Sequence, residues 1–238
     1  MKVHFMGIGG AGASAAAAIA KASGFKVSGC DIAKSKYLEN LDEIKVKIGH
    51  GKTHLSNCDI LVITPAILKF DPKIEEITAA KKLKMPILTW QEFMGKFLQK
   101  GKRVIAVAGT HGKSTTTAMI GHILEDAGFN PTVEVGAVDL GWGKNFRVGG
   151  SKWFVCEADE YNNNFLNYQP EIAVITNIDW DHPDFFKSKA LVFDSFVKFI
   201  KTNSSLVSLF VAPSEAGIKR FFNKACRSEK SSRIFGTC

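Results

Sequence analysis

Cysteine is scarce in this 238-residue chain and poorly spaced for chemistry. The five residues Cys30, Cys58, Cys156, Cys226 and Cys238 are odd in number and form no C-x-x-C pair. Neither a disulfide framework nor a zinc site is expected from that spacing, and reduced thiols of the cytosol fit it best. Long apolar runs are also missing. A membrane-spanning helix needs about 20 mostly apolar residues, and the longest candidate, Ala11 to Ala22, is alanine-rich and too short. The opening Met-Lys-Val-His-Phe has no charged n-region or cleavage site of a secretory signal. These absences point to a cytoplasmic protein with no membrane partner. Internal repeats are absent too, and the alanine run is the only compositional bias.

What is present is ordinary globular material, 45% hydrophobic and 23% charged. The length suits one large or two ordinary domains. Lysine and arginine number 31 against 23 acids, a formal charge of +8. Such a balance favours an anionic partner. The lysines are dispersed and lack interleaved aromatics, so a phosphorylated small molecule is expected rather than nucleic acid.

Short β-branched runs alternate with helical stretches. Strands are expected at Val3–Met6, Lys26–Cys30, Val46–Ile48, Ile60–Ile63 and Pro86–Leu88, with helices at Ala11–Ala22, Tyr37–Leu41, Ile74–Lys82 and Trp90–Leu98. The polar stretch Gln99 to Lys102 reads as a linker, after which the pattern restarts. Strands follow at Arg103–Ala108, Trp153–Cys156, Ile172–Thr176, Leu206–Ala212 and Arg233–Phe235. Helices follow at Lys113–Ala127, Ala190–Ile200 and Ser214–Ala225. This alternation predicts α/β architecture with parallel sheets covered on both faces. Two domains are expected, residues 1–99 and 102–238, the second incomplete at its C-terminus.

Two glycine-rich loops each follow a strand and open a helix. The first, Gly7-Ile8-Gly9-Gly10-Ala11-Gly12, has Asp31 ending the next strand about 20 residues on, the dinucleotide fingerprint. Taken alone it suggests an NAD-dependent oxidoreductase, or simply a close helix–strand turn. The second, Gly109-Thr110-His111-Gly112-Lys113-Ser114, is a shortened form of the phosphate-binding loop. Its backbone N–H groups and helix N-terminus would face phosphate, with Lys113 on the terminal phosphates and Ser114 on Mg²⁺. Two more strand ends carry acids: Glu157, Asp159 and Glu160, then Asn177, Asp179, Asp181, His182 and Asp184. Open α/β sheets bind ligands at such ends, and the set suits phosphate with a divalent metal.

At these stretches the chain resembles the Mur ligase family, the ATP-dependent amide-forming enzymes of peptidoglycan synthesis. The matching segments are G-T-H-G-K-S-T-T-T (109–117), E-A-D-E-Y (157–161) and T-N-I-D-W-D-H (176–182). The front adds M-G-I-G-G-A-G (6–12), S-G-C-D (28–31), G-H (49–50) and T-P-A-I (64–67). Together they are most similar to the branch that joins L-alanine to UDP-N-acetylmuramate. The resemblance implies a Rossmann-like UDP-sugar-binding domain followed by part of a P-loop-containing central ATP-binding domain. It implies ATP on Gly109, Thr110, His111, Gly112, Lys113, Ser114 and Thr115, and Mg²⁺ on Ser114, Glu157 and His182. Lys113, Glu157 and His182 would carry the chemistry, attack of a carboxylate on the γ-phosphate followed by attack of the alanine amine on the acyl phosphate.

UDP-N-acetylmuramate is implied at Gly7, Ile8, Gly9, Gly10, Ala11, Gly12, Asp31, His50, Thr64, Asn145 and Arg147. The E-A-D-E-Y and His-Pro-Asp-Phe-Phe stretches lean instead toward a murein tripeptide ligase of cell-wall recycling. The short Asn162–Pro170 segment leans back toward the alanine-adding branch. Family members carry a third, C-terminal domain, so the 238 residues by themselves are expected to ligate poorly. A non-catalytic nucleotide- or UDP-sugar-binding module is the remaining alternative.

Overall fold

The computed structural model describes residues 1–70, 73–203, 206–211 and 234–235. The helix expected over Ser214–Ala225 lies outside them, as do Cys226 and Cys238. The chain divides into two compact units, Met1–Leu98 with Glu134–Val148, and Gln99–Val133 with Gly149–Cys238. The first change of unit falls beside the polar linker read from the sequence. Residues 134–148, which the sequence reading placed in the second domain, group with the first. Among the described residues no helix is long and apolar enough to cross a membrane.

The first unit contains β1 (Lys2–Met6), α1 (Ala11–Ala22), β2 (Lys26–Asp31), β3 (Lys45–Ile48), β4 (Ile60–Ile63), α2 (Pro65–Phe70), α3 (Glu75–Lys82), β5 (Ile87–Thr89) and α4 (Trp90–Phe93). Its five strands lie in the order β3-β2-β1-β4-β5, every pair parallel. The central strands β1 and β4 are buried almost throughout, as continuous apolar runs covered on both faces must be. One face packs Met6, Leu61 and Ile63 against Ile67, Ile77 and Ala80. The alanines of α1 allow close packing: Ala13, Ala15, Ala16, Ala17 and Ala20 are all buried. A Cβ on Gly12 would run into the indole of Trp90, so that position fits glycine alone.

The single helix expected over Trp90–Leu98 is α4 continued by a π-helical turn, Met94–Leu98. A capping box opens it: the Glu92 N–H donates to Thr89 Oγ1 at 3.2 Å, and the Thr89 N–H donates to Glu92 Oε2 at 2.7 Å. The short helix expected at Tyr37–Leu41 is a 3₁₀ turn, Lys36–Asn40.

The second sheet is built from β6 (Arg103–Ala108), β7 (Thr132–Asp139), β8 (Lys144–Arg147), β9 (Trp153–Ala158), β10 (Ile172–Ile175), β11 (Ser208–Val211) and β12 (Ile234–Phe235). Its helices are α5 (Lys113–Asp126) and α6 (Lys189–Thr202). Strand order is β12-β11-β10-β6-β9-β7-β8. The strands from β12 to β9 pair in parallel. β7 and β8 were not among the strands read from sequence. Their stretch holds Gly136, Gly141, Gly143, Gly149 and Gly150, and glycine of that density reads as loop.

Phe165, in the 3₁₀ segment Tyr161–Asn167, is fully buried. It stacks on Phe199 with centroids 4.6 Å apart and meets Phe196 edge-on at 5.3 Å. Both partners belong to α6, so this aromatic trio ties the segment after β9 to that helix. Phe165→Ala is expected to destabilise the second unit by about 3–5 kcal/mol, read as a lowered urea midpoint. A loss below about 1 kcal/mol would show that the trio is not a core element.

Candidate functional site

Strand order brings the second site together. β6 lies between β9 and β10, the point where the order of connection reverses, and open α/β sheets bind ligands just beyond such a reversal. Register aligns Ala108 with Ala158 on one side and with Ile175 on the other. The residues that follow each strand, Gly109, Asp159 and Thr176, therefore emerge at one level of the sheet.

Gly109 has φ +139°, and a Cβ there would strike Thr176 Oγ1 and come within 3.0–3.1 Å of the Asn177 backbone. Only glycine fits. The loop after it is clamped to residues 176–179. The His111 N–H donates to Asn177 Oδ1 at 3.0 Å, and Asn177 Nδ2 donates back to the His111 carbonyl at 2.9 Å. Thr176 Oγ1 donates to the same carbonyl at 2.6 Å. The Asp179 N–H donates to Thr110 Oγ1 at 2.8 Å. The T-N-I-D stretch thus shapes the glycine loop, and the left-handed Gly112 (φ +81°) turns the chain into α5.

Lys113, the first residue of α5, folds back over the loop. Its Nζ donates to the Gly109 carbonyl at 2.6 Å and to Glu160 Oε2 at 3.0 Å. Glu160 is 1% exposed. Its other oxygen, Oε1, has no hydrogen-bond partner among the described residues and lies 3.9 Å from His182 Nε2. Asp159, Glu160 and His182 each bring a ligand atom within 4.8 Å of the others. Burial pushes the Glu160 and Asp159 carboxyls up, and the positive charge of Lys113 pulls them back. His182 adopts φ +53°, and its ring packs against Tyr161 with centroids 4.7 Å apart. The Tyr161 hydroxyl donates to Asp184 at 2.7 Å. An orphaned buried carboxylate oxygen beside a second carboxylate and an imidazole fits a hard divalent cation such as Mg²⁺.

The structure thus joins Gly109, Thr110, His111, Gly112, Lys113 and His182 from the sequence prediction. Ser114 and Thr115 follow Lys113 in the first turn of α5. Glu157 lies on β9 opposite Val107 and is not among the three residues whose ligand atoms converge. Those three include Asp159 and Glu160, which the sequence groups with Glu157 as a strand-end acid set suited to a divalent metal, whereas the family resemblance assigns the metal to Glu157. β9 ends at Ala158, so both acids stand past the strand, where side chains turn toward the loop.

In the first unit Asp31 is bound to its own loop: Oδ2 accepts from the Gly9 N–H at 2.7 Å and Oδ1 from the Ile32 N–H at 2.8 Å. Ser35 Oγ donates to the Gly9 carbonyl at 2.8 Å. Asn145, fully buried on β8, donates through Nδ2 to the Ala11 carbonyl at 2.6 Å and to Ser14 Oγ at 3.1 Å. Its Oδ1 has no hydrogen-bond partner among the described residues. The Thr64 N–H donates to the Met6 carbonyl at 3.1 Å, beside the Gly7 turn. Arg147 ends β8, half-buried. His50 instead faces Glu76, 3.1 Å from Oε2.

A Rossmann-like unit, followed by a sheet with a lysine-bearing glycine loop and an acid–histidine cluster at its crossover, defines an α/β protein of the nucleotide-binding class. Comparison narrows the class. Residues 2–102 match the Mur ligase family catalytic domain, and residues 107–236 match the Mur ligase middle domain. The chain belongs to the Mur ligase family.

It is 41% identical over 225 residues to UDP-N-acetylmuramate–L-alanine ligase of Caldicellulosiruptor bescii, covering 94% of this chain and 49% of that protein. It is 43% identical to the enzyme of the same name from Clostridium perfringens, covering 84% and 44%. The chain therefore spans about half the length of the curated relatives it matches. Among solved structures it is similar to UDP-N-acetylmuramate:L-alanyl-gamma-D-glutamyl-meso-diaminopimelate ligase of Neisseria meningitides. There the TM-score is 0.85 at 29% identity, covering 99% of this chain and 77% of that one. The UDP-N-acetylmuramate-alanine ligase of Thermotoga maritima gives a TM-score of 0.81 at 28% identity, covering 100% and 53%.

Two predictions follow from the buried pair. Lys113→Ala leaves the Glu160 carboxylate buried without its cation, which should cost about 3 kcal/mol in urea unfolding. Adding Glu160→Gln should return part of that loss. Folding also raises both acids from ordinary values of 3.8 (Asp159) and 4.5 (Glu160). In the window above those values the folded chain holds more protons than the unfolded one, so stability should fall as pH rises through it. Glu160→Gln should flatten that fall, measured as urea midpoints at stepped pH.

Proposed function

We propose that this chain is the nucleotide-binding portion of an ATP-dependent, amide-forming ligase that joins L-alanine to UDP-N-acetylmuramate in peptidoglycan synthesis. The observation that carries the proposal is the Lys113–Glu160–His182 arrangement at the crossover of the second sheet. A dehydrogenase with the same front loop has no use for it. The sequence relatives at 41–43% identity bear the name of this reaction.

In this reading ATP lies on the loop Gly109 to Thr115. Its phosphates draw Lys113 Nζ off the Gly109 carbonyl, and the N–H groups at the start of α5 face the negative charge. Asp159, Glu160 and His182 would hold a divalent cation, with Ser114, next to Lys113, and Glu157, just before Asp159 in sequence, as further oxygen donors. Bound there, Mg²⁺ offsets the charge that develops as the phosphoryl group moves to the sugar carboxylate. The protein's part is positioning and fixed charge. Thr176 and Asn177 keep the loop in its phosphate-accepting shape, Lys113 holds one Glu160 oxygen, and His182 lies 3.9 Å from the other. The UDP-sugar diphosphate lies on Gly7 to Gly12. Asp31, His50, Thr64, Asn145 and Arg147 border that loop's end of the first sheet or the segments that pack on it.

A second reading, a murein tripeptide ligase, is favoured by Tyr161 and by the TM-score of 0.85 to the Neisseria structure. Both readings share the nucleotide, the metal and the UDP-sugar, and they differ only in the amine.

Calorimetric titration of the 238-residue chain tests the shared part. Mg·ATP and UDP-N-acetylmuramate are each expected to bind. Lys113→Ala should weaken ATP by at least about tenfold while leaving the UDP-sugar unaffected. Tight NAD binding without UDP-sugar binding would overturn the proposal. Offering the full-length protein L-alanine or the tripeptide, and measuring phosphate release, separates the two ligase readings.

A further inference from the structure

The first unit holds a second cluster of metal-ligating side chains that neither the glycine loop nor the proposed reaction uses. His4 comes from β1, Cys30 from β2, His54 from the 3₁₀ turn Lys52–Leu55 and Glu76 from the first turn of α3. Each brings a ligand atom within 4.8 Å of the others. Glu76 is 0% exposed, a charged side chain with its whole carboxylate withdrawn from water. Burial of that kind demands compensation. His4 Nε2 lies 3.3 Å from Cys30 Sγ and 3.4 Å from Glu76 Oε1. Cys30 Sγ lies 3.4 Å from both carboxylate oxygens, and His54 Nδ1 lies 2.7 Å from Oε1.

We propose that His4, Cys30, His54 and Glu76 form a binding site for a thiophilic divalent transition metal, Zn²⁺ in the first instance. Three arguments support it. First, tetrahedral zinc with bonds of about 2.0 Å to nitrogen or oxygen and 2.3 Å to sulfur sets its ligand atoms about 3.3–3.8 Å apart. Three of the edges among His4, Cys30 and Glu76 are already 3.3, 3.4 and 3.4 Å. The 2.7 Å His54–Glu76 contact is a hydrogen bond that the ion would replace and lengthen. Second, a thiolate and a carboxylate with two neutral imidazoles cancel a charge of +2, so the loaded site buries no net charge. Cys30 Sγ gives its proton to solvent on binding, and each neutral imidazole keeps its one proton on the ring nitrogen that faces away from the ion. Third, His4 has a supporting partner: its Nδ1 lies 2.9 Å from Ser28 Oγ, which fixes the ring with Nε2 toward the cluster.

His50 adjoins the site, with Nδ1 3.2 Å from Cys30 Sγ and 3.1 Å from Glu76 Oε2. It is more exposed than the cluster's own histidines, at 15% against 10% for His54 and 2% for His4. The ligand set differs in kind from Asp159, Glu160 and His182, which has no sulfur. The two sites are therefore expected to select different ions.

Cobalt(II) substitution tests the proposal on the 238-residue chain after chelator treatment. One equivalent of Co²⁺ should bind with an intense thiolate-to-cobalt charge-transfer band, which Zn²⁺ should displace. Cys30→Ser, nearly isosteric, should lose the band. His54→Gln should weaken Zn²⁺ by at least about tenfold. Zinc should raise the thermal midpoint of the parent chain and not that of Cys30→Ser. The proposal is overturned if Co²⁺ does not bind, if it binds without a thiolate band, or if the band persists in Cys30→Ser. The last result would place the ion on another cysteine, and the second would place it on the acid–histidine cluster.

Discussion

The second unit depends on one carboxylate kept out of water. Glu160 is buried, with one oxygen on the Lys113 ammonium and the other turned toward His182. An unpaired charge at that depth would be strongly unfavourable. Lys113 is therefore drawn back over its own loop, the loop is held against Thr176 and Asn177, and His182 is brought to the remaining oxygen. Three strand ends that are far apart in sequence are joined through this group. The same pairing keeps the lysine ammonium in a sheltered position, 3.0 Å from a carboxylate that is itself fixed in place.

The two units share a plan and use it differently. In each, a glycine loop leaves the sheet where strand order reverses, between β1 and β4 in one and between β6 and β10 in the other. In the first, the nearby acid, Asp31, binds the loop's own Gly9 N–H and stiffens it. In the second, the acids face a lysine and a histidine. In the first loop the N–H groups of Gly7, Ile8, Gly9 and Gly10 are already donated to the Cys30 carbonyl, Asp31 and the Gly7 carbonyl. Beside the second, Asp159, Glu160 and His182 bring ligand atoms within 4.8 Å of one another.

Much of this was legible beforehand. The strand, glycine loop and helix from Arg103 to Asp126 follow from an apolar run, two glycines and a lysine in the required order. The parallel sheets follow from uninterrupted apolar strands such as Ile60–Ile63. β7 and β8 were hidden because their glycines mimic loop composition. Among the acids after β9, sequence could not show where the strand stops. It stops at Ala158, which leaves Asp159 and Glu160 off the pleat and Glu157 on it. The His4–Cys30–His54–Glu76 cluster was invisible for another reason. Its members sit on four separate elements, none with a spacing that signals a ligand, and Glu76 shares a helical face with Ile77 and Ala80 that reads as plain core.

The excursion of residues 134–148 has a consequence for how such proteins are assembled over evolutionary time. The chain passes from one unit to the other at 98–99, again at 133–134 and again at 148–149, so neither unit is a continuous stretch of sequence. At the base of the excursion Thr132 and Gly149 exchange hydrogen bonds, each at 3.2 Å. Gly149 packs so tightly on the Asn130 and Pro131 carbonyls that no side chain fits there. Recombination at the polar linker alone would transplant a front unit stripped of Asn145 and its hold on Ala11 and Ser14. Recombination that keeps this front unit whole has to carry two separate segments, 1–98 and 134–148, of one compact unit.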